Sequence, residues 1–233
     1  MSRLTGWLLA AALLPATGLA HMKDDPLLAG LTVDRLEWRE GQGADALAFA
    51  IDGWLGRDLH KLHLNTEGER VDGDFHKGKV QALYSQAVTP FWDIHMGWQG
   101  DLRPTPDRHW LAMGVDGLAP GWIALNATLL IGDHGRTGFG LDADYDLRLT
   151  RRWVLTPAVE ARLYGHNDPA AGSGSGLADI EAGLRLRYEI RPEFSPYIGV
   201  HHQRRYGNTA DYARQRGERV SATSLVVGVR LWF

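Results

Sequence analysis

Apolar and polar residues alternate along most of this chain. In the last segment Leu225, Val227, Val229, Leu231 and Phe233 interleave with Ser224, Val226, Gly228, Arg230 and Trp232, leaving one face apolar throughout. Between Leu177 and Arg191, Ile180, Ala182, Leu184, Leu186, Tyr188 and Ile190 oppose Asp179, Glu181, Arg185, Arg187 and Glu189. Phe139, Leu141, Ala143, Tyr145 and Leu147 likewise alternate with Gly140, Asp142, Asp144, Asp146 and Arg148. Successive side chains of a strand point to opposite faces, so each stretch reads as a strand with two chemically distinct sides.

The same pattern predicts twelve strands, near 31–39, 44–55, 59–68, 75–86, 91–101, 108–118, 122–131, 137–148, 153–164, 177–191, 195–205 and 221–233. The first two alternate least cleanly, so a helical or irregular lead-in over 24–40 and a total of ten strands form the alternative. Short connections (Gly56-Arg57-Asp58, Thr89-Pro90, Ala119-Pro120-Gly121, Thr150-Arg151-Arg152, Arg191-Pro192-Glu193) alternate with longer ones (68–74, 102–107, 165–176, 206–220). Such a chain closes into a barrel with two unlike rims. Residues 170–176, rich in Gly and Ser, read as flexible loop.

Period two does not say which face meets water. A soluble barrel turns its apolar residues inward, whereas a membrane barrel turns them to lipid and keeps charge in the lumen. The charged rows of both signs on two strands fit a lumen, because in lipid each charge at the midplane would cost about 2–4 kcal/mol. Trp92, Trp98, Trp122, Trp153, Tyr188, Trp232 and Phe233, near strand ends, fit the aromatic girdles of a membrane barrel. A basic start at Met1–Arg3, an apolar run from Leu4 to Pro15 and the small-residue exit Ala16–Ala20 read as a cleaved signal peptide over residues 1–20. The expected layout is therefore an all-β transmembrane antiparallel barrel of about twelve strands over 31–233, behind a periplasmic segment 21–30. Short periplasmic turns, longer extracellular loops, periplasmic chain ends and an outer membrane of the Gram-negative type complete the expectation, with a soluble periplasmic barrel as the alternative.

Composition narrows the chemistry. The 233 residues include 28 Gly and 9 Trp, which suit turns and strands better than helices. A net charge of −3 gives no basic footprint for nucleic acid. The absence of Cys removes disulfides, thiolate metal sites and Cys nucleophiles together.

Longer phrases carry a resemblance. They include His21-Met22 with Asp24–Leu28, Lys61-Leu62 and Thr66–Glu69, Gln81–Ser85, Pro90–Asp93, Gly117–Pro120, Glu181–Arg191, Pro196–Val200, Gly207–Asp211 and Val226–Arg230. Across nearly the whole mature chain the sequence resembles the copper resistance protein B family of outer-membrane proteins. The resemblance implies copper tolerance, copper as the bound or transported ion, outer-membrane lipid as surroundings, and periplasmic copper-binding proteins as partners. Long family members carry a Met-rich N-terminal extension. Here only Met22 lies between the expected cleavage site and the barrel, so a short form without that extension is expected.

With no Cys and four Met among the residues, His must dominate any copper site. Parity puts His63 on the face of Lys61, Asn65 and Glu67, His95 with Asp93, Gln99 and Asp101, and His201 with Tyr197 and Gln203. All three are expected in the lumen. After cleavage His21 and Met22 would begin the chain, where the free amine and imidazole could chelate copper together. The candidate metal residues are thus His21, Met22, His63, His95 and His201, each of the lumen three being otherwise a hydrogen-bonded polar filler. His76, His134 and His166 fall in or beside outer loops. His201 and His202 point to opposite faces and cannot clamp one ion. Asp142, Asp144, Asp146, Glu181 and Glu189 would either guide cations or hold Arg148, Arg185 and Arg187. A small-solute channel is the alternative function. A barrel hydrolase ranks behind both, since no G-x-S-x-G or H-E-x-x-H motif occurs and Asp133-His134 is the best acid/base pair. No catalytic residue is assigned.

Overall fold

The computed structural model describes residues 25–41, 45–71 and 73–233. The expected signal peptide and the candidates His21 and Met22 lie outside them. The strands are β1 (Leu28–Gly41), β2 (Ala46–Gly56), β3 (His60–Val71), β4 (Asp74–Thr89), β5 (Trp92–Arg103), β6 (Arg108–Ala119) and β7 (Ile123–Gly132). They continue with β8 (Thr137–Asp144), β9 (Leu147–Arg148), β10 (Trp153–Tyr164), β11 (Gly176–Tyr188), β12 (Phe194–Arg205) and β13 (Ser221–Trp232). Both β8 and β9 pair with β10, so they are two pieces of one stave and the barrel has twelve. The gap at Tyr145-Asp146 lies beside Pro157, which has no N–H for a ladder and only accepts from Tyr145 N at 3.1 Å.

All pairings are antiparallel, and the first strand zips to the last through Leu36↔Val229 and Trp38↔Val227. Phe233 N donates to Leu31 O at 2.8 Å, tying the C-terminal residue into that seam. Closure leaves no sheet edge, which is the condition for a strand structure in hydrocarbon.

The faces are inverted relative to a soluble barrel. Leu62, Leu64, Leu225 and Val227 are 60–68% exposed on the outside, while Glu37 is fully buried and His95 and His201 are 5% exposed inside. At the short-turn end Phe91, Trp122, Trp153, Tyr188, Trp232 and Phe233 form a belt, with Trp153 and Tyr188 centroids 4.8 Å apart. Trp110 departs from that role. It sits in the lumen with Leu83, Ala112, Leu130 and Tyr164, its indole N–H on Asp101 at 2.7 Å.

Two local features differ from the sequence expectation. In β1 the register shifts across Val33–Leu36, a bulge that moves the outward position from Leu31 to Leu36 and Trp38. The bulge explains the mixed alternation there, and the lead-in is strand from Leu28, not helix. In the 206–220 connection, α1 (Gly207–Gln215) forms where a polar loop was expected. Thr209, Ala210 and Ala213 bury one side of it, and Gly217, at φ +73°, supplies the left-handed exit while Glu218 N bonds Ala213 O at 2.8 Å. The 68–74 connection also tightens, with strand running to Val71 and resuming at Asp74.

Candidate functional site

Ion pairs, not water alone, fill the lumen. Glu37 Oε1 accepts from Arg39 Nε at 2.8 Å and Arg185 Nη2 at 3.0 Å, while Oε2 accepts from Arg185 Nε and Tyr197 Oη, both at 3.0 Å. Gly228 makes room for this cluster, because a Cβ there would lie 2.6 Å from the Tyr197 ring. Arg39 reaches on to Glu69 at 2.9 Å and His201 Nε2 at 3.2 Å. Glu181 then gathers His201 Nε2 at 3.3 Å, Gln203 Nε2 at 3.1 Å and the Lys77 ammonium. Lys77 is on β4 and Glu181 on β11, six staves apart in either direction, so this pair crosses the full diameter. Arg35 to Glu160 at 2.7 Å, from β1 to β10, adds a shorter chord.

Three sequence candidates stand in the lumen, each in its own setting. His201 belongs to the cluster above. His95 places Nδ1 3.0 Å from Asp116 Oδ1 and Nε2 3.1 Å from Thr128 Oγ1, so both ring nitrogens are engaged. Its ring lies over Gly114, where a Cβ would sit 2.7 Å from Nε2. His63 places Nδ1 3.2 Å from Asp52 Oδ2, and its Nε2 has no hydrogen-bond partner among the described residues. Among those residues no three His, Asp or Glu are grouped to hold a metal. Met96 and Met113 face each other across β5 and β6 on the outer surface, away from the lumen.

Three carboxylates of the charged rows are paired: Asp142 with Arg162 at 2.7 Å, Asp146 with Arg187 at 2.6 Å and Glu189 with Arg148 at 3.0 Å. Arg185 is held by Glu37, a residue the sequence reading did not single out because the β1 bulge hides its parity. His134 is exposed beside Asp133, and His202 faces outward to Thr223 at 2.8 Å, opposite to His201.

Toward the long-connection end, a cavity of about 610 Å³ opens above the diameter pair, lined by charges of both signs with Trp110 and Tyr164. A strap formed by the 165–175 connection reaches across it. Asp168 accepts from Arg108 Nε at 2.7 Å and Nη2 at 2.9 Å, a two-pronged pair, and from Arg136 Nη1 at 3.3 Å. Gly174 N donates to Thr209 Oγ1 at 2.8 Å, which ties α1 to the strap. The Arg108 hydrogen bonds hold the Asp168 carboxyl below the ordinary aspartate range, aided by Ala171 N–H and the Arg136 charge. A depressed carboxylate contributes stability above its unfolded value of about 3.9 and loses it as pH falls through the folded value. The strap should therefore resist hydrogen exchange from pH 7 to about 4 and lose protection below that. In Asp168→Asn, protection should already be lost at pH 7, and unchanged protection there would refute the clasp.

A closed antiparallel barrel with an apolar exterior, a salt-bridged lumen and an aromatic belt has the architecture of an outer-membrane β-barrel. The solved NanC porin is similar in fold, with TM-score 0.57 and 13% identity over 86% of this chain and 98% of that one. The outer membrane phospholipase A from Escherichia coli gives TM-score 0.52 and 15% identity, over 85% and 92% respectively. The family model described as copper resistance protein B precursor (CopB) matches residues 27–233. A copper resistance protein B homolog of Pseudomonas syringae pv. tomato is 46% identical over 91% of this chain and 72% of its own length. Copper resistance protein B of Escherichia coli is 38% identical over 86% and 68%. The chain belongs to the copper resistance protein B family, which gives it a role in copper resistance.

Proposed function

We propose that this barrel binds copper ions in its lumen and sequesters them in the outer membrane, with both chain ends in the periplasm. The observation that carries the reading is the lumen imidazole of His63, which Asp52 holds at Nδ1 while Nε2 has no hydrogen-bond partner among the described residues. A carboxylate on one ring nitrogen fixes the tautomer and raises the basicity of the other, the usual support for a metal-binding imidazole. Holding is favoured over free passage because Lys77–Glu181 and Arg35–Glu160 cross the lumen. His21 and Met22 would receive copper from periplasmic copper-binding proteins and pass it to the lumen groups His63, His95 and His201. No catalytic step is needed for this role.

The test is metal analysis of the purified chain refolded in detergent. The wild type should retain stoichiometric copper, and the triple variant His63→Ala, His95→Ala, His201→Ala should lose most of it while keeping heat-modifiable gel migration. Unchanged stoichiometry in a folded triple variant would discard the lumen assignment. A folded wild type that retains no copper would leave the small-solute channel as the better reading.

A further inference from the structure

Beside His63 the wall of the lumen holds an oxygen that no described residue satisfies. Asn65 Oδ1 is shielded from solvent and accepts no hydrogen bond among the described residues. Asn65 pairs directly across the β2–β3 ladder with Asp52, and His63 is the next inward residue along β3. Asp52 gives one oxygen to His63 Nδ1, and its Oδ1 accepts no hydrogen bond among the described residues. The adjacent cation does not neutralise that carboxylate, because the Lys61 ammonium lies over the Trp54 ring, 5.6 Å from its centroid. Two unused donors, the His63 Nε2 nitrogen and the Asn65 Oδ1 oxygen, therefore stand two residues apart on the inward face of β3, with the Asp52 carboxylate behind the ring on its Nδ1 side. A buried lone pair without a donor costs free energy until a donor or a cation meets it.

The chemistry of the set decides the ion. Cuprous copper selects thioether and thiolate sulfur, whereas cupric copper takes imidazole and oxygen donors in tetragonal geometry. The chain has no Cys, and Met96 and Met113 lie on the lipid side. Resting on the copper reading above, we propose that His63 Nε2 and Asn65 Oδ1, backed by Asp52 on the His63 Nδ1, form a divalent copper site on the β2–β3 wall that takes Cu(II) in preference to Cu(I). His63 and Asn65 contribute first-hand donors, while Asp52 both orients the ring and adds charge.

The experiment uses the full refolded chain carrying His21→Ala, so that the amino-terminal chelate is not counted. Cu(II) is added and followed by electron spin resonance, and Cu(I) is offered under reducing conditions against a cuprous chelator. The proposal expects one Cu(II) signal with nitrogen hyperfine structure, its loss in His63→Ala, and about tenfold weaker binding in Asp52→Asn and in Asn65→Leu. Cu(I) should stay with the chelator. A Cu(II) signal that survives in His63→Ala and Asn65→Leu would overturn the site while leaving copper binding at another lumen residue intact. Retention of Cu(I) as firmly as Cu(II) would overturn the valence assignment alone. Absence of both ions from the folded chain would overturn this site together with the copper-binding reading.

Discussion

Glu37→Gln is expected to destabilise the barrel by about 3–5 kcal/mol. The carboxylate is fully buried and is the shared acceptor for Arg39, Arg185 and Tyr197. The amide that replaces it removes the negative charge and turns an N–H₂ toward guanidinium N–H groups, so buried Arg185 loses its counter-ion, Arg39 keeps only Glu69, and donors face donors. Solvent cannot repair this, since Arg39 and Arg185 side chains are only 8% and 12% exposed. The contrast is Asp211→Ala on α1. The Asp211–Arg214 pair is more than half exposed on both sides and should contribute about 0–1 kcal/mol. Urea unfolding of the refolded barrel in detergent, followed by Trp fluorescence, measures both. A Glu37→Gln cost within about 1 kcal/mol of the Asp211→Ala cost would show that the cluster is hydrated and screened like a surface pair.

The route from sequence to barrel was legible wherever one face was uniformly apolar. The strand expected at 221–233 matches β13 to within one residue, and that expected at 177–191 matches the start of β11 to one residue and overruns its end by three, because lipid demands an unbroken apolar row and the lumen tolerates charge. Legibility failed where a backbone irregularity reset the parity. The Val33–Leu36 bulge moves β1 out of phase, so Glu37, the centre of the largest lumen cluster, did not register as inward. Helix α1 escaped for another reason. Its apolar side is only Thr209, Ala210 and Ala213, too small to raise a helical period in a polar stretch, and Gly217 at its end was the usable signal. Parity did place His63, His95 and His201 in the lumen. It could not say that their partners differ, because partner choice depends on register between neighbouring strands and on side chains reaching across the lumen. Parity also places Asn65 on the His63 face, but its unsatisfied oxygen is a property of the packed wall and has no signal in the sequence.

The second large effect concerns passage. Lys77→Ala combined with Arg35→Ala should raise the conductance of the barrel in a planar bilayer at least several-fold over a wild type that passes little steady current. These two side chains supply the cross-lumen contacts, one over the full diameter and one over the chord from β1 to β10. Their removal leaves each carboxylate a polar partner: Glu181 keeps His201 at 3.3 Å and Gln203 at 3.1 Å, and Glu160 keeps Arg162 at 3.5 Å. Folding should survive for that reason, and because the Lys77 side chain is 43% exposed and so contributes little through its screened pair. The loss of two cations also leaves the lumen more negative, so the added current should favour cations over anions. A wild-type barrel that already conducts like the double variant would mean that the contacts across the lumen open readily. An ion could then pass the diameter without waiting at a site, and export or general solute passage would replace sequestration as the better account of the fold.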